Sequence, residues 1–374
     1  MRGASELKSR PGRLRVARRL VDALTAALLA TGLACAPQAA IPSASAPAAP
    51  PVPAAPRSDG AAPADVPATA PPAPLRVVAN WTQPTGAMTG FWIAQEAGIN
   101  REQGLDVELL NIANTSRVLQ TMAAGEMNLS PLDPATTIRA SLGGLDAVLL
   151  YAQTNRLVFG VYAQPSIQGP QDLRGRVLGT TRVGASANTA LLVALKRWGL
   201  VPDRDVALRQ LGETQAIYAA MQAGQIDAAP FGLPVDRALL PTQRELINLA
   251  TDGPEYASIA VGGLRAWINE NEEAVRRFGR AYVLAIQRFK RDKAFTLEVY
   301  RKYLGTDDPT RLEEVYALFS RTLPTAPYVT DEAMDQALAD LVEEEPQLAG
   351  RHGSEWVDSR FVRELEQEGL FTSR

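Results

Sequence analysis

Ser186 is held in Gly184-Ala185-Ser186-Ala187-Asn188, between an apolar run and a segment of helical pattern, a setting in which a serine can be presented as a nucleophile. Such a serine needs a base. The only histidine of the 374 residues is His352, in the late turn Gly350-Arg351-His352-Gly353, and Asn188 stands where a second glycine would free the turn. Serine hydrolysis by Ser186 and His352 is therefore the weaker reading. Cys35 is the single cysteine, so neither a zinc site of Cys/His type nor a Cys–His pair can be assembled. No P-loop and no Gly-x-Gly-x-x-Gly is present. No metal and no cofactor is called for. Binding is what remains. Arg182 is a candidate anion clamp, Asp133 and Glu213 are carboxylates that repel an anion or receive a donor, and Trp81, Phe231 and Tyr256 offer flat faces to a ring.

An internal repeat supplies the elements that position these groups. Asp106-Val107-Glu108-Leu109 recurs as Asp205-Val206-Ala207-Leu208, and Met122-Ala123-Ala124-Gly125-Glu126-Met127-Asn128 as Met221-Gln222-Ala223-Gly224-Gln225-Ile226-Asp227. Each copy begins with a buried-strand run (Leu75 to Trp81; Gly175 to Thr181), followed by a helix, a second strand, a second helix, a glycine stop and a third strand (Met127 to Leu132; Ile226 to Phe231). Alternating strands and helices predict an α/β protein of two lobes, each a mostly parallel sheet flanked by helices.

Ligands of open α/β sheets bind beyond the carboxyl ends of the strands, where helix N-termini offer free N–H groups. In the first copy those positions are Trp81, Thr82 and Gln83, then Asn114, Thr115 and Ser116, then Asp133. In the second they are Thr181 and Arg182, Ala185 and Ser186, Glu213, and Phe231. Gln153 and Asn155 lie on the crossover. Each has a plainer use: Thr115, Ser116, Ser186 and Asp133 as helix caps, Trp81 as core, Arg182 as an exposed charge.

The predicted lobes are 75–154 with 250–374, and 155–249. Past Trp267 the pattern is helical, with Val275, Phe278, Tyr282, Ile286 and Phe289 on a core face and Arg276, Arg277, Arg280, Arg288 and Lys290 on a solvated one. Ahead of the lobes, residues 1–34 read as a signal peptide: seven basic residues, then the apolar run Ala23 to Ala34, too short to span a bilayer, which takes ~20 residues. Thr31-Gly32-Leu33-Ala34-Cys35 resembles the bacterial lipobox, which predicts lipidation of Cys35 and attachment to the outer face of the cytoplasmic membrane. An ordinary signal peptide cleaved near Ala34 is the other reading. Residues 35–74, rich in Ala, Pro and Ser, read as a disordered tether with a reach of up to ~100 Å. A net charge of −3 gives no footprint for nucleic acid, and a monomer is expected.

Gly90-Phe91-Trp92-Ile93-Ala94-Gln95-Glu96-Ala97-Gly98, with Glu102-Gln103-Gly104-Leu105-Asp106-Val107-Glu108-Leu109, resembles the opening of nitrate/sulfonate/taurine-type solute-binding proteins of ABC transporters. Gly199-Leu200 with Asp205-Val206, Ala223 to Ala228, and Trp356-Val357-Asp358 through Glu366 resemble the same group, which includes binders of thiamine-pyrimidine precursors. The resemblance implies a type II periplasmic-binding-protein clamp that closes on a small molecule and delivers it to ABC permease subunits. The ligand is either a sulfonate-, nitrate- or taurine-like species or an aromatic heterocycle; a sensor in place of a transport component is a further alternative. The related fungal enzymes that make the thiamine pyrimidine use an iron site, a sacrificial histidine and a cysteine cluster; with no cysteine cluster here, that activity is rejected.

Overall fold

The structure, a computed structural model, describes residues 73–113, 115–182, 185–342 and 344–371, without the side chains of Thr115 and Ser116. Cys35, the signal segment and nearly all of the tether lie outside the described residues. The first copy of the repeat folds as β1 (Leu75–Trp81), α1 (Thr89–Glu96), α2 (Ile99–Glu102), β2 (Leu105–Asn111), α3 (Thr115–Ala123) and β3 (Ser130–Leu132). Then come α4 (Pro134–Leu142), β4 (Ala147–Thr154) and β5 (Phe159–Ala163). The second copy is β6 (Val177–Thr180), α5 (Ser186–Trp198), β7 (Ala207–Gln210), α6 (Thr214–Gln222) and β8 (Ala228–Gly232). The chain returns through β9 (Arg244–Asn248), α7 (Leu249–Asp252) and β10 (Ile259–Leu264). It closes with α8 (Arg265–Glu270), α9 (Glu272–Arg291), α10 (Lys293–Leu304), α11 (Pro309–Thr322), α12 (Asp331–Val342) and α13 (Arg360–Gln367).

The repeat is a repeat of bonds as well as of letters. The Val78 N–H donates to Asn128 Oδ1 at 2.7 Å while the Asn128 N–H donates to Val78 O at 2.9 Å. In the second copy the Val177 N–H donates to Asp227 Oδ2 at 2.9 Å, and the Asp227 N–H to Val177 O at 2.7 Å. Each pair ties the turn before a third strand to the middle or start of a first strand. Gly125 and Gly224 end the preceding helices at φ +76° and +65°, the left-handed region that glycine enters without a Cβ clash. The third strand of the first copy is shorter than expected: only Ser130–Leu132 is strand, with Leu129 bridging to Ala79.

Both sheets are mixed, and the reason fixes where a ligand site lies. In the first, β1 pairs parallel with β2, the Ala79–Leu129 bridge joins β1 to the segment leading into β3, and β10 runs antiparallel between β3 and β4. In the second, the order is β7-β6-β8-β5-β9, with β6 parallel to β7 and β8, and β5 antiparallel to β8 and β9. Strands within a repeat copy are thus parallel, as expected. β5 and β10, the strands that receive the chain after each crossing, run in the opposite direction. β4 runs out at the carboxyl end of the first sheet, and β5 enters the second from the carboxyl end of β6 and β8. The two sets of strand ends therefore face one junction, crossed by 155–158 and 249–258. The crossings are bonded to each other: Tyr256 N–H to Asn155 O at 2.9 Å, Ser258 N–H to Thr154 O at 3.3 Å, and Arg156 to Gly253 O.

Helices after β10 close the first sheet. Val275, Phe278, Tyr282, Ile286 and Phe289 of α9 are all buried, as their spacing predicts. α9 crosses α1 at Gly90, where a Cβ would stand 2.2 Å from Tyr282 Cε2. The cations of α9 do not form a simple solvated face. Arg276 donates to Glu364 of α13 at 2.7 Å, Arg280 pairs with Glu368 just beyond it, and Arg277 and Arg288 pair with Glu273 and Asp292. Lys290 donates to Leu323 O at 2.8 Å, and its partial burial lowers its pKa. The docking of α13, invisible to the periodicity of α9, accounts for the pairs of Arg276 and Arg280; those of Arg277 and Arg288 are made to carboxylates four residues away.

Candidate functional site

The strand ends at the junction are held in place before any ligand is considered. Asn80, fully buried at the end of β1, donates to Ile112 O at 3.0 Å and Ser130 Oγ at 3.1 Å, and accepts from Ile112 N–H at 2.7 Å. One side chain thereby ties the ends of β1 and β2 to the start of β3. Thr180, the last residue of β6 and also fully buried, places its hydroxyl 3.4 Å from Asn188 Oδ1 of α5. Neither residue stands out by pattern in the sequence.

Asp133 and Ser186 come together. They line one cavity of about 40 Å³ with Pro134, Leu157, Thr189 and Tyr256. Asp133 is also a cap, its Oδ1 accepting from Thr136 N–H at 2.8 Å, so the N-terminus of α4 is satisfied from within. The N-termini of α5 and α6 are not: Ala185 and Glu213, at their N-cap positions, make no side-chain cap bond. Unpaired N–H groups and the positive end of the helix dipole thus remain available on the second sheet's side. Ser186 begins α5 and is exposed. Arg182, three residues before Ala185, is exposed. Burial, reinforced by the charges of Asp340 and Asp133, pushes the Tyr256 hydroxyl far above its ordinary pKa, so it stays a donor. Thr189 follows Ser186 by one helical turn, a spacing that could have pointed to it.

Four buried side-chain oxygens at the junction have no partner among the described residues: Gln153 Oε1, Thr154 Oγ1, Asn155 Oδ1 and Thr181 Oγ1. Gln153 and Asn155 are otherwise anchored, their amide nitrogens donating to Ala87 O at 2.7 Å and Tyr328 O at 2.6 Å. Unpaired buried acceptors cost roughly 1–3 kcal/mol each unless something donates to them.

The remaining expected residues are distributed differently. Trp81 is half-buried, edge-on to Trp92 at 5.6 Å and to Tyr303 at 5.9 Å. Thr82 contacts Met88 Sδ at 3.8 Å, and Gln83 is exposed. Phe231 needs correction as a stacking face: it is 1% exposed, with its ring 4.5 Å from that of Tyr218 and 6.1 Å from that of Tyr162. The closing of α6 over β8 covers it. Asn114 and Gly184 lie outside the described residues, as do the side chains of Thr115 and Ser116. His352 does not line the Ser186 cavity.

Two larger cavities flank the junction. One of about 270 Å³ opens between the segment after β8 and α11, beside Tyr162, whose hydroxyl donates to Glu245. The other, about 430 Å³, lies between α4, α5 and α12 and shares Ala135, Thr189 and Tyr256 with the Ser186 cavity. Among the described residues, no cluster of three or more His, Cys, Asp or Glu could hold a metal, and no helix is long and apolar enough to cross a membrane.

Residues 85–292 match the family model described as NMT1/THI5 like. No curated protein matches by sequence. Among solved structures, the periplasmic aliphatic sulphonate binding protein SsuA from Escherichia coli is similar at 18% identity, TM-score 0.61, covering 80% of this chain and 100% of that one. The alkanesulfonate-binding protein SsuA from Xanthomonas axonopodis pv. citri, bound to MOPS, is similar at 19% identity, TM-score 0.58, covering 78% and 100%. The periplasmic nitrate-binding protein NrtA from Synechocystis PCC 6803 is similar at 12% identity, TM-score 0.60, covering 79% and 89%. At these identities the likeness establishes the two-lobed periplasmic-binding-protein fold.

Proposed function

Because this chain belongs to the NMT1/THI5-like family, we propose that it is the extracytoplasmic solute-binding component of an ABC importer, capturing a small organic molecule or anion between its lobes and handing it to permease subunits. The observation that carries this reading is the meeting of both sets of strand ends at one junction, where Asp133 and Ser186 line a single cavity. The lobes we assign are 75–154 with 250–374, and 155–249, hinged on the paired crossings. Their solved structural neighbours include proteins named for alkanesulfonate, aliphatic sulphonate and nitrate binding. Exposed Arg182 and the uncapped start of α5 favour an anionic group on the second lobe's side. Donors on the ligand would meet Asp133, which lines the cavity. With Phe231 buried, a flat heterocycle has less to stack on, and the sulfonate-type reading gains. Anchoring through a lipid on Cys35, with residues 35–74 as the tether, belongs to the same proposal.

Ligand that contacts both lobes stabilises the closed arrangement by its differential contacts. A thermal-shift panel of taurine, alkanesulfonates, nitrate, bicarbonate, aromatic carboxylates and pyrimidines tests the reading. At about 100 times its dissociation constant a ligand stabilises the fold by ~2.7 kcal/mol. The expected result is a shift with a sulfonate that Arg182→Ala abolishes. Silence across the panel would remove the support for capture of these classes.

A further inference from the structure

The 430 Å³ cavity is walled by three helix stripes. α5 contributes Asn188, Leu192 and Lys196 and α4 contributes Ala135 and Arg139, both sets at four-residue helical spacing, and α12 contributes the adjacent Asp340 and Leu341. The loop after α5 completes it with Leu200, Val201 and Pro202. The volume falls within the ~300–1,000 Å³ range of small-molecule sites, whereas the Ser186 cavity is an order of magnitude smaller.

Three observations give this cavity a chemistry. Its wall is apolar where it is open: Val201, 42% exposed, is one of only two large exposed hydrophobic residues among the described residues. That wall is held rigid, because Asp205 accepts the Val201 N–H at 2.9 Å and pairs with Arg174 and Arg204. The charges on the rim are already neutralised, Lys196 by Asp340 at 3.1 Å and Arg139 by Glu344 and Glu345. An anion would have to break a pair or sit against a carboxylate. What is left for a ligand is neutral polar capacity. Asn188 is 4% exposed and lines the cavity; its Oδ1 faces the Thr180 hydroxyl, and its amide nitrogen has no protein partner among the described residues.

We propose that this cavity is a second binding site, for a neutral organic molecule with an apolar body and an amide- or alcohol-type polar group that bonds Asn188. Its preference is opposite to that of the anion reading at Arg182, and it goes beyond that reading without depending on it. The apolar body lies along Leu192, Val201 and Leu341, and the ion pairs Lys196–Asp340 and Arg139–Glu344 stay intact at the rim.

Titration calorimetry on the whole chain, with cyclohexanecarboxamide and its charged counterpart cyclohexanecarboxylate as probes, tests this. The carboxamide should bind, and the carboxylate should bind about tenfold more weakly or not at all. Leu192→Trp, which fills the cavity, should weaken carboxamide binding at least about tenfold. Val201→Lys, at an exposed position where folding is not at stake, should do the same, while Arg182→Ala should leave it unchanged. The proposal is overturned by absence of carboxamide binding to the wild type, by carboxylate binding as tightly, or by binding that survives both cavity substitutions. A chain that binds the carboxamide and ignores the whole anion and heterocycle panel would overturn the capture reading and leave this site standing.

Discussion

Arg311, in the first turn of α11, reaches from the helices that cover the first sheet to the segment after β8 in the second. Its Nη1 donates to Pro234 O at 2.6 Å and to Val235 O at 3.1 Å. Hydrogen bonds from a charged donor contribute ~1.5–3 kcal/mol when buried. This side chain is 35% exposed, and its own carboxylate neighbour Glu314 is 3.9 Å away. Solvent screening brings the pair of bonds down to about 1–2 kcal/mol. Arg311→Met keeps the aliphatic stem and removes both bonds. If the lobes separate about the paired crossings, these bonds exist only in the closed arrangement, and their loss should shift the open–closed ratio by ~5–30-fold. Small-angle scattering of the unliganded chain should then show a larger radius of gyration for Arg311→Met. Any ligand requiring the closed form should bind more weakly by the fraction of closed form lost. Superimposable scattering profiles, with ligand affinity unchanged, would refute the assignment of Arg311 as a closing contact.

Phe231→Ala should cost about 3–5 kcal/mol in urea unfolding, the figure for a buried aromatic; a loss below about 1 kcal/mol would mean the ring is free for ligand. Gly90→Ala should destabilise by about 1–3 kcal/mol, measured the same way, despite alanine's better helix propensity, because its Cβ would meet the Tyr282 ring. The hydrogen bond from Arg204, then that from the Val201 N–H, holds the Asp205 carboxyl below its ordinary value of 3.8. Its folded pKa is depressed, so its stabilisation is complete above the unfolded value and lost as pH falls through the folded one. Asp205→Asn should flatten that part of the acid limb in a pH series of unfolding midpoints, and an unaltered limb would contradict the assignment.

Much of the architecture was legible because the repeat registers local necessity. Gly125 and Gly224 occupy the same left-handed turn, and Asn128 and Asp227 receive the same strand N–H groups, so selection of residue type was forced twice at one spacing. The core face of α9 was legible for the same reason, since a helix buries every third or fourth residue whatever it packs against. The site was legible only in part. The grouping of Asp133 with Ser186 follows from strand ends and helix starts. The burial of Phe231 depends on which way Tyr218 of α6 leans, and the pairing of Arg276 and Arg280 depends on α13 lying across α9. Ala337, which also lines the Ser186 cavity, comes from α12, about 150 residues later in the chain, and no local pattern connects the two.

β10 lies between β3 and β4 in the first sheet, although it is encoded only at Ile259–Leu264. When the ribosome has finished β4, that sheet still lacks an interior strand, and the facing edges of β3 and β4 have no partner. Strands β5 to β9 pair only with one another, and all of them lie between Phe159 and Asn248. The half of the molecule that begins later in the chain is thus the first that can be finished. The earlier half must wait, with two strand edges open to mispairing, until some hundred further residues have been made.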